Sequence, residues 1–124
     1  PSQEFALKVT GEATAEAAAR RLYDAYHPEL LVLTQGVAGG LLLDERGLRH
    51  YDSYKVDAKD TNGCGDTFHG AFVAAKIKGM TNDDACKYAS AAAAIKCTRV
   101  GARQGMANDA ECRAFLAERN VKLA

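Results

Sequence analysis

The chain has 124 residues, of which 48% are apolar and 26% charged, the make-up of an ordinary globular protein of one modest domain. Lysine and arginine number 16, as do aspartate and glutamate, so no global field draws the chain to nucleic acid or to an anionic membrane. The apolar runs, such as Leu30–Leu33, fall far short of the ~20 residues that span a bilayer.

Residues 14–26 predict a helix. Thr14 is an N-cap type, alanine is the strongest helix former, and Ala18, Leu22 and Tyr26 share one face. Pro28 ends it. Leu30 to Thr34 is a short continuous apolar run, the pattern of a strand buried on both faces. Gln35 to Gly40 is a glycine-rich turn, Leu41–Leu43 a second strand, Asp44 to Gly47 another turn, and Leu48–Tyr51 a weaker strand. Such a β-meander is expected at the edge of an α/β protein.

The stretch from Asp60 to Ala75 begins as loop and continues as helix, ending at Gly79, a good residue to follow a helix. Thr81 to Asp84 opens the next helix with a capping-box-like pattern, and that helix runs to about Cys97. Its alanine-rich middle, Ala89 to Ala94, allows another element to approach closely. Arg99 to Gly105 is a loop, and Asn108 with Asp109 caps a last helix reaching about Arg119. The predicted order is helix, strands, helix, helix, loop, helix.

Cysteines stand at 64, 86, 97 and 112, with no CxxC pair. That spacing fits neither a zinc site nor a redox motif, and predicts reduced thiols in a cytoplasmic protein. Cys86, Cys97 and Cys112 read as small buried hydrophobes. No basic segment followed by an apolar run reads as a secretion signal. The opening Pro1, in place of Met, points to a fragment or a processed chain.

The segment richest in chemistry is Gly63-Cys64-Gly65-Asp66, at the loop-to-helix junction. A helix N-terminus leaves amide hydrogens without intrahelical partners and carries partial positive charge. Glycines there let backbone press against a phosphate, so the amides of Gly63, Cys64 and Gly65 can form a concave anion site. Asp66 lies beside that site, where a carboxylate is useful as a base. On pattern alone a second reading stays open, with Asp66 as a helix cap and the glycines as a turn. Two familiar loops are excluded by spacing. A dinucleotide-binding GxGxxG needs glycine where Phe68 stands, and a Walker loop needs lysine where Ala71 follows Gly70.

The run Asp60-Thr61-Asn62-Gly63-Cys64-Gly65-Asp66-Thr67-Phe68 resembles the second signature of the ribokinase, or PfkB, carbohydrate kinases, D-T-x-G-A-G-D-x-F, with Cys64 in place of alanine. Leu31 to Gly40 resembles that family's strand followed by T-x-G-x-x-G. Ala89 to Ala102 resembles its late alanine-rich helix and glycine loop. The resemblance implies that residues 1–124 are the carboxy-terminal, nucleotide-binding and catalytic part of a ribokinase-like three-layer α/β/α fold, without the amino-terminal part and the lid. It implies an ATP- and Mg2+-dependent phosphotransferase acting on a hydroxyl of a sugar-like molecule.

By that resemblance Asp66 is the general base, and Gly63, Cys64 and Gly65 form the anion hole. Thr34, Gly36 and Gly39 lie along the nucleotide, and residues around Ser90 border the adenine. Asp60 and the carbonyl of Asn62, with carbonyls near Arg99 and Gly101, match a region where some relatives hold a monovalent cation such as K+. Glu4 stands where relatives place a glutamate that helps Mg2+ through water, although Pro1 occupies the asparagine slot of that motif. His69, three residues beyond Asp66, is either a second acid/base group or a hydrogen-bonding residue. Arg99 and Arg103 either reach phosphate or face solvent. Alternatives are a non-catalytic nucleotide-binding fragment, an adenosine or other nucleoside kinase, and a hydroxymethylpyrimidine- or pyridoxal-type kinase, whose threonine-rich loop fits less well. The partners expected are a small sugar or nucleoside and, in a full-length protein, a second copy in a homodimer, with no nucleic acid and no membrane. The isolated chain is expected to be inactive and to expose apolar sheet edge and face.

Overall fold

The computed structural model describes every residue, Pro1–Ala124, and the chain divides into two compact units, Pro1–Asp52 and Ser53–Ala124.

The first unit comprises α1 (Gln3–Thr10), α2 (Ala15–Tyr26), β1 (Leu30–Thr34), a 3-10 turn at Gly36–Ala38, β2 (Gly40–Asp44) and β3 (Gly47–Tyr51). The three strands form an antiparallel sheet in the order β1-β2-β3, with Leu31 opposite Leu43 and Leu33 opposite Leu41. Side chains alternate across a strand, so these four leucines share one face. They meet Ala6, Ala15, Ala18, Ala19 and Leu22 from the two helices in one apolar core.

α2 fills its predicted span closely: the Thr14 hydroxyl accepts from the Ala17 amide at 3.2 Å. Pro28 disfavours the helical conformation at His27, which turns left-handed with φ of 47° and closes the helix. The eight-residue α1 is absent from the sequence expectation. Its signals are present but local: Ser2 caps the Phe5 amide, and Gly11 at φ 71° donates to the Leu7 carbonyl.

One strand departs from expectation. β1 alternates, with Leu31 and Leu33 buried and Leu30, Val32 and Thr34 partly exposed, whereas every residue of β2 is buried. The doubly covered strand is therefore the middle one, which has a neighbour on each edge. At its end, Asp44 is 5% exposed and accepts a two-pronged bond from Arg49, Nη1 to Oδ1 and Nη2 to Oδ2, both 2.8 Å.

The second unit is helical: α3 (Cys64–Ile77), α4 (Asn82–Cys97) and α5 (Asp109–Glu118). α4 is buried around most of its circumference, as its alanine content allows, and α3 and α5 both pack on it. Ala75, Ala85, Tyr88, Ala92, Ile95 and Cys112 form the core, flanked by Phe72, Met80 and Phe115. At the start of α4, Thr81 accepts from the Asp84 amide, but the Asp84 carboxylate turns to Lys87 and to the amide of Ala124. The reciprocal capping box occurs at α5, between Asn108 and Glu111.

No helix is long and apolar enough to cross a membrane. Apolar side chains do stay exposed on the helices, among them Phe5 and Val9 on α1 and Val73 and Ile77 on α3.

Candidate active site

The loop from Asp60 delivers the chain to α3 through Gly63, which adopts φ of 77° and serves as N-cap without a capping side chain. An alanine there would be strained by the left-handed backbone, and its Cβ would approach that of Ala102 at 3.1 Å. The turn is fixed by the Cys64 amide on the Thr61 carbonyl (3.2 Å) and the Thr67 amide on the Gly63 carbonyl (2.9 Å). The amide hydrogens of Gly65 and Asp66 have no acceptor within the chain. Both residues are exposed, and a Cβ on Gly65 would meet nothing within 4 Å. Open space in front of free, positively polarised amides is what a phosphate group requires. The Asp66 carboxylate stands in the same first turn, while Thr67 and Phe68 behind it are buried and anchor the helix.

The loop is held from behind by a polar cluster. Asp60 Oδ1 accepts from the Asn62 amide and Oδ2 from the Gly101 amide, each at 2.9 Å. Both Lys59 and Asp60 donate their amides to the Cys97 carbonyl, at 2.7 and 3.2 Å. The Gly101 amide first, then the Asn62 amide and the nearby Lys96 ammonium, hold the Asp60 carboxyl below the usual aspartate range. Lys96 is 0% exposed. Its Nζ donates to the Asp60 carbonyl at 2.9 Å and to the Arg99 carbonyl at 3.5 Å, and lies 3.7 Å from Asp60 Oδ2.

Sequence reasoning missed Lys96. Its signal was a lone lysine at the end of an otherwise apolar helical run, nine residues and hence half a helical turn out of phase with the half-exposed Lys87. The cluster bears on the expected monovalent-cation site. The place facing the Asp60 carbonyl and carboxylate is filled by a covalently attached ammonium, so these oxygens do not fit a free K+ in that position.

The other expected site residues fall as follows. Thr34 ends β1 and donates its amide to the Pro1 carbonyl at 2.9 Å. Gly36 and Gly39 bracket the 3-10 turn, closed by the Gln35 amide on the Gly39 carbonyl at 2.8 Å. Gly39 has φ of 85° and ψ of −118°, a region glycine alone adopts with ease. Glu4 is exposed in the first turn of α1, and Gln3 Oε1 accepts from Gln35 Nε2 at 2.7 Å. The first unit thus brings Glu4, Thr34, Gly36 and Gly39 to one end of its sheet. Ser90 is 5% exposed, in the middle of α4. His69 is exposed and meets the Phe68 ring edge to face. Arg99 is committed to Glu111 at 2.7 Å, while Arg103 is exposed.

The thiol expectation is corrected. Cys64 and Cys97 are joined in a disulfide between the start of α3 and the end of α4, with 33 residues separating them. Cys97 is therefore partly exposed and cross-linked, not a free buried thiol. Cys86 and Cys112 are buried and lie outside any disulfide, as read from sequence.

The helix start with two free amides and a carboxylate in its first turn belongs to a chain whose fold is ribokinase-like. Residues 2–109 match the pfkB family of carbohydrate kinases, and the chain belongs to that family. It is 32% identical over 120 residues to the ribokinase of Haemophilus influenzae, covering 94% of this chain and 39% of that protein. Among solved structures, one assigned to ribokinase II of Escherichia coli in complex with ATP and Mg2+ superposes with a TM-score of 0.87 at 27% identity. That match covers 95% of this chain and 38% of the other. A double mutant of Vibrio cholerae fructokinase in a fructose-, ADP- and potassium-bound form gives 0.82 at 25% identity, covering 93% and 39%. The chain thus spans about two fifths of the length of the relatives it matches.

Proposed function

We propose that this chain is the carboxy-terminal, phosphate-handling part of an ATP-dependent kinase that phosphorylates a hydroxyl of a sugar or sugar-like molecule. The observation that carries this reading is the pair of free amides at Gly65 and Asp66, opening onto unobstructed space beside the Asp66 carboxylate. In the reaction, the acceptor hydroxyl oxygen forms a bond to the γ-phosphorus of ATP as the bond to the bridging oxygen breaks and ADP departs. The Asp66 carboxylate takes the hydroxyl proton, worth ~10²–10⁴-fold in rate for a positioned base. The free Gly65 and Asp66 amides meet the charge that spreads over the transferring phosphoryl oxygens, with no reorganisation needed at that moment, the Cys64 amide of the expected anion hole being spent on the Thr61 carbonyl.

Thr34, Gly36 and Gly39 are proposed to follow the nucleotide, and Ser90 to act from within α4 by shaping the helix near the base. Mg2+, when bound with ATP, neutralises phosphate charge. The chain has no cluster of three histidine, cysteine or carboxylate side chains for a metal, so its share is single carboxylates, with Glu4 the candidate through water. The acceptor is proposed to be read by residues outside these 124.

The test is calorimetric titration of MgATP into the wild-type chain and a Gly65→Val variant, both checked for folding by circular dichroism. The proposal expects saturable binding by the wild type and its loss in the variant, because two branched methyl groups enter the space facing the amides. Equal binding by the two proteins would remove the loop from the phosphate site.

A further inference from the structure

Lys96 is among the largest fully buried side chains of the protein, and it is charged. Burying an ammonium is costly unless oxygens replace its water, and an ammonium has three hydrogens to place. The oxygens are supplied from two directions: the Asp60 carbonyl and carboxylate from the loop before α3, and the Arg99 carbonyl from the turn after α4. The site is built around the side chain. Gly105 lies against the lysine stem so closely that a Cβ there would stand 3.0 Å from Lys96 Cδ and 2.7 Å from the Gly101 carbonyl.

Carbonyl and carboxylate oxygens converging on one point are the ligands of an alkali cation. A second cation on the same oxygens would lie within a few ångströms of the ammonium and be repelled. The cluster also reaches the phosphate loop directly, because Asp60 Oδ1 holds the Asn62 amide immediately before Gly63.

We propose that the Lys96 ammonium is a tethered monovalent cation, filling the Asp60–Arg99 oxygen cradle in place of a free potassium ion, so that the phosphate loop assembles without added potassium. Lys96 is then a positioning residue, acting through Asp60 and Asn62 on the Gly63–Asp66 turn. The inference rests on the kinase reading only for the choice of potassium as a probe. Its test reads stability without nucleotide, so its failure would leave the Asp66 assignment standing.

The experiment compares melting temperatures of the wild-type chain, Lys96→Ala and Lys96→Gln in potassium, ammonium, lithium and tetramethylammonium chlorides at one ionic strength of about 0.1 M. The wild type is expected to melt alike in all four. Lys96→Ala is expected to melt several degrees lower in tetramethylammonium, with potassium and ammonium restoring about half or more of the loss saturably, as a ligand of the folded state does. Lithium and tetramethylammonium restore nothing. A variant that folds only in potassium or ammonium supports the proposal equally. Saturable stabilisation of the wild type by potassium would overturn it, since a free ion would then bind beside the lysine. So would folded variants without potassium- or ammonium-specific recovery, or failure of both variants to fold in every salt.

Discussion

Gly63 and Gly65 are two residues apart, yet the structure gives them opposite reasons for being glycine, and alanine at each separates those reasons. At Gly63 the backbone has φ of 77° and an added Cβ approaches Ala102 Cβ at 3.1 Å. The left-handed conformation costs an L-residue roughly 1–2 kcal/mol. With the tight contact added, Gly63→Ala should lose about 2 kcal/mol of stability, or ~8 °C in melting temperature for a chain of this size. Gly65 lies inside the first turn of α3, without positive φ and with no atom within 4 Å of an added Cβ. Alanine is the better helix former there, so Gly65→Ala should gain about 0.5 kcal/mol, or ~2 °C. If Gly65 is glycine only to let a phosphate approach, the same variant binds MgATP about tenfold or more weakly, a loss of roughly 1.4 kcal/mol. Differential scanning fluorimetry and calorimetric titration measure both quantities. A Gly65→Ala chain destabilised as much as Gly63→Ala, or one that keeps full MgATP affinity, would refute the reasoning.

Three further outcomes follow from the packing and the charges. Arg49→Met strips the two-pronged partner from the buried Asp44 carboxylate and leaves the Arg46 amide on Oδ1, so it should cost about 3 kcal/mol in urea unfolding; a cost below ~1 kcal/mol would show that the remaining donors satisfy the carboxylate. Thiol titration of the unfolded chain should find two reactive cysteines, Cys86 and Cys112, without reductant and all four with it; four from the start would contradict the Cys64–Cys97 bond. Lys78 first, then the Tyr88 hydroxyl and Arg113, hold the Asp109 carboxyl well below the usual range. Its contribution is therefore present above the ordinary aspartate value of about 3.9 and is lost as pH falls beneath it. The melting-temperature gap between wild type and Asp109→Asn should hold at neutral pH and close below about pH 4, and an undiminished gap at about pH 3 would contradict the assignment.

The parts of the molecule legible in the sequence are those set by near neighbours. Thr14 with Pro28 bounds α2, the glycines at 36, 39 and 47 separate the three strands, and Asn108 with Glu111 starts α5. The Gly63–Asp66 junction was legible for the same reason, since a helix start is a local event. α1 was missed because eight residues carry little periodicity and its caps, Ser2 and Gly11, are single residues. The burial of β2 in place of β1 depends on which strand lies between the others, which no window of sequence contains. Lys96 and the Cys64–Cys97 bond lie further out still. Lys96 reaches Asp60 across 36 residues, and the disulfide spans 33. Residue type alone does not mark Lys96 as buried, and only the fold gives it the Asp60 and Arg99 carbonyls.

The central claim, that Asp66 is the base at a phosphate-binding helix start, is tested most directly by the Asp66→Asn substitution in a polypeptide of kinase length that carries this chain. The change keeps shape and removes the proton acceptor, and loss of a charge near the helix start should itself cost only about 0.3–1 kcal/mol of stability. The account predicts a fall of ~10²–10⁴-fold in kcat for ATP-dependent sugar phosphorylation, with MgATP affinity retained. A folded Asp66→Asn protein that turns over within a few-fold of wild type would contradict it.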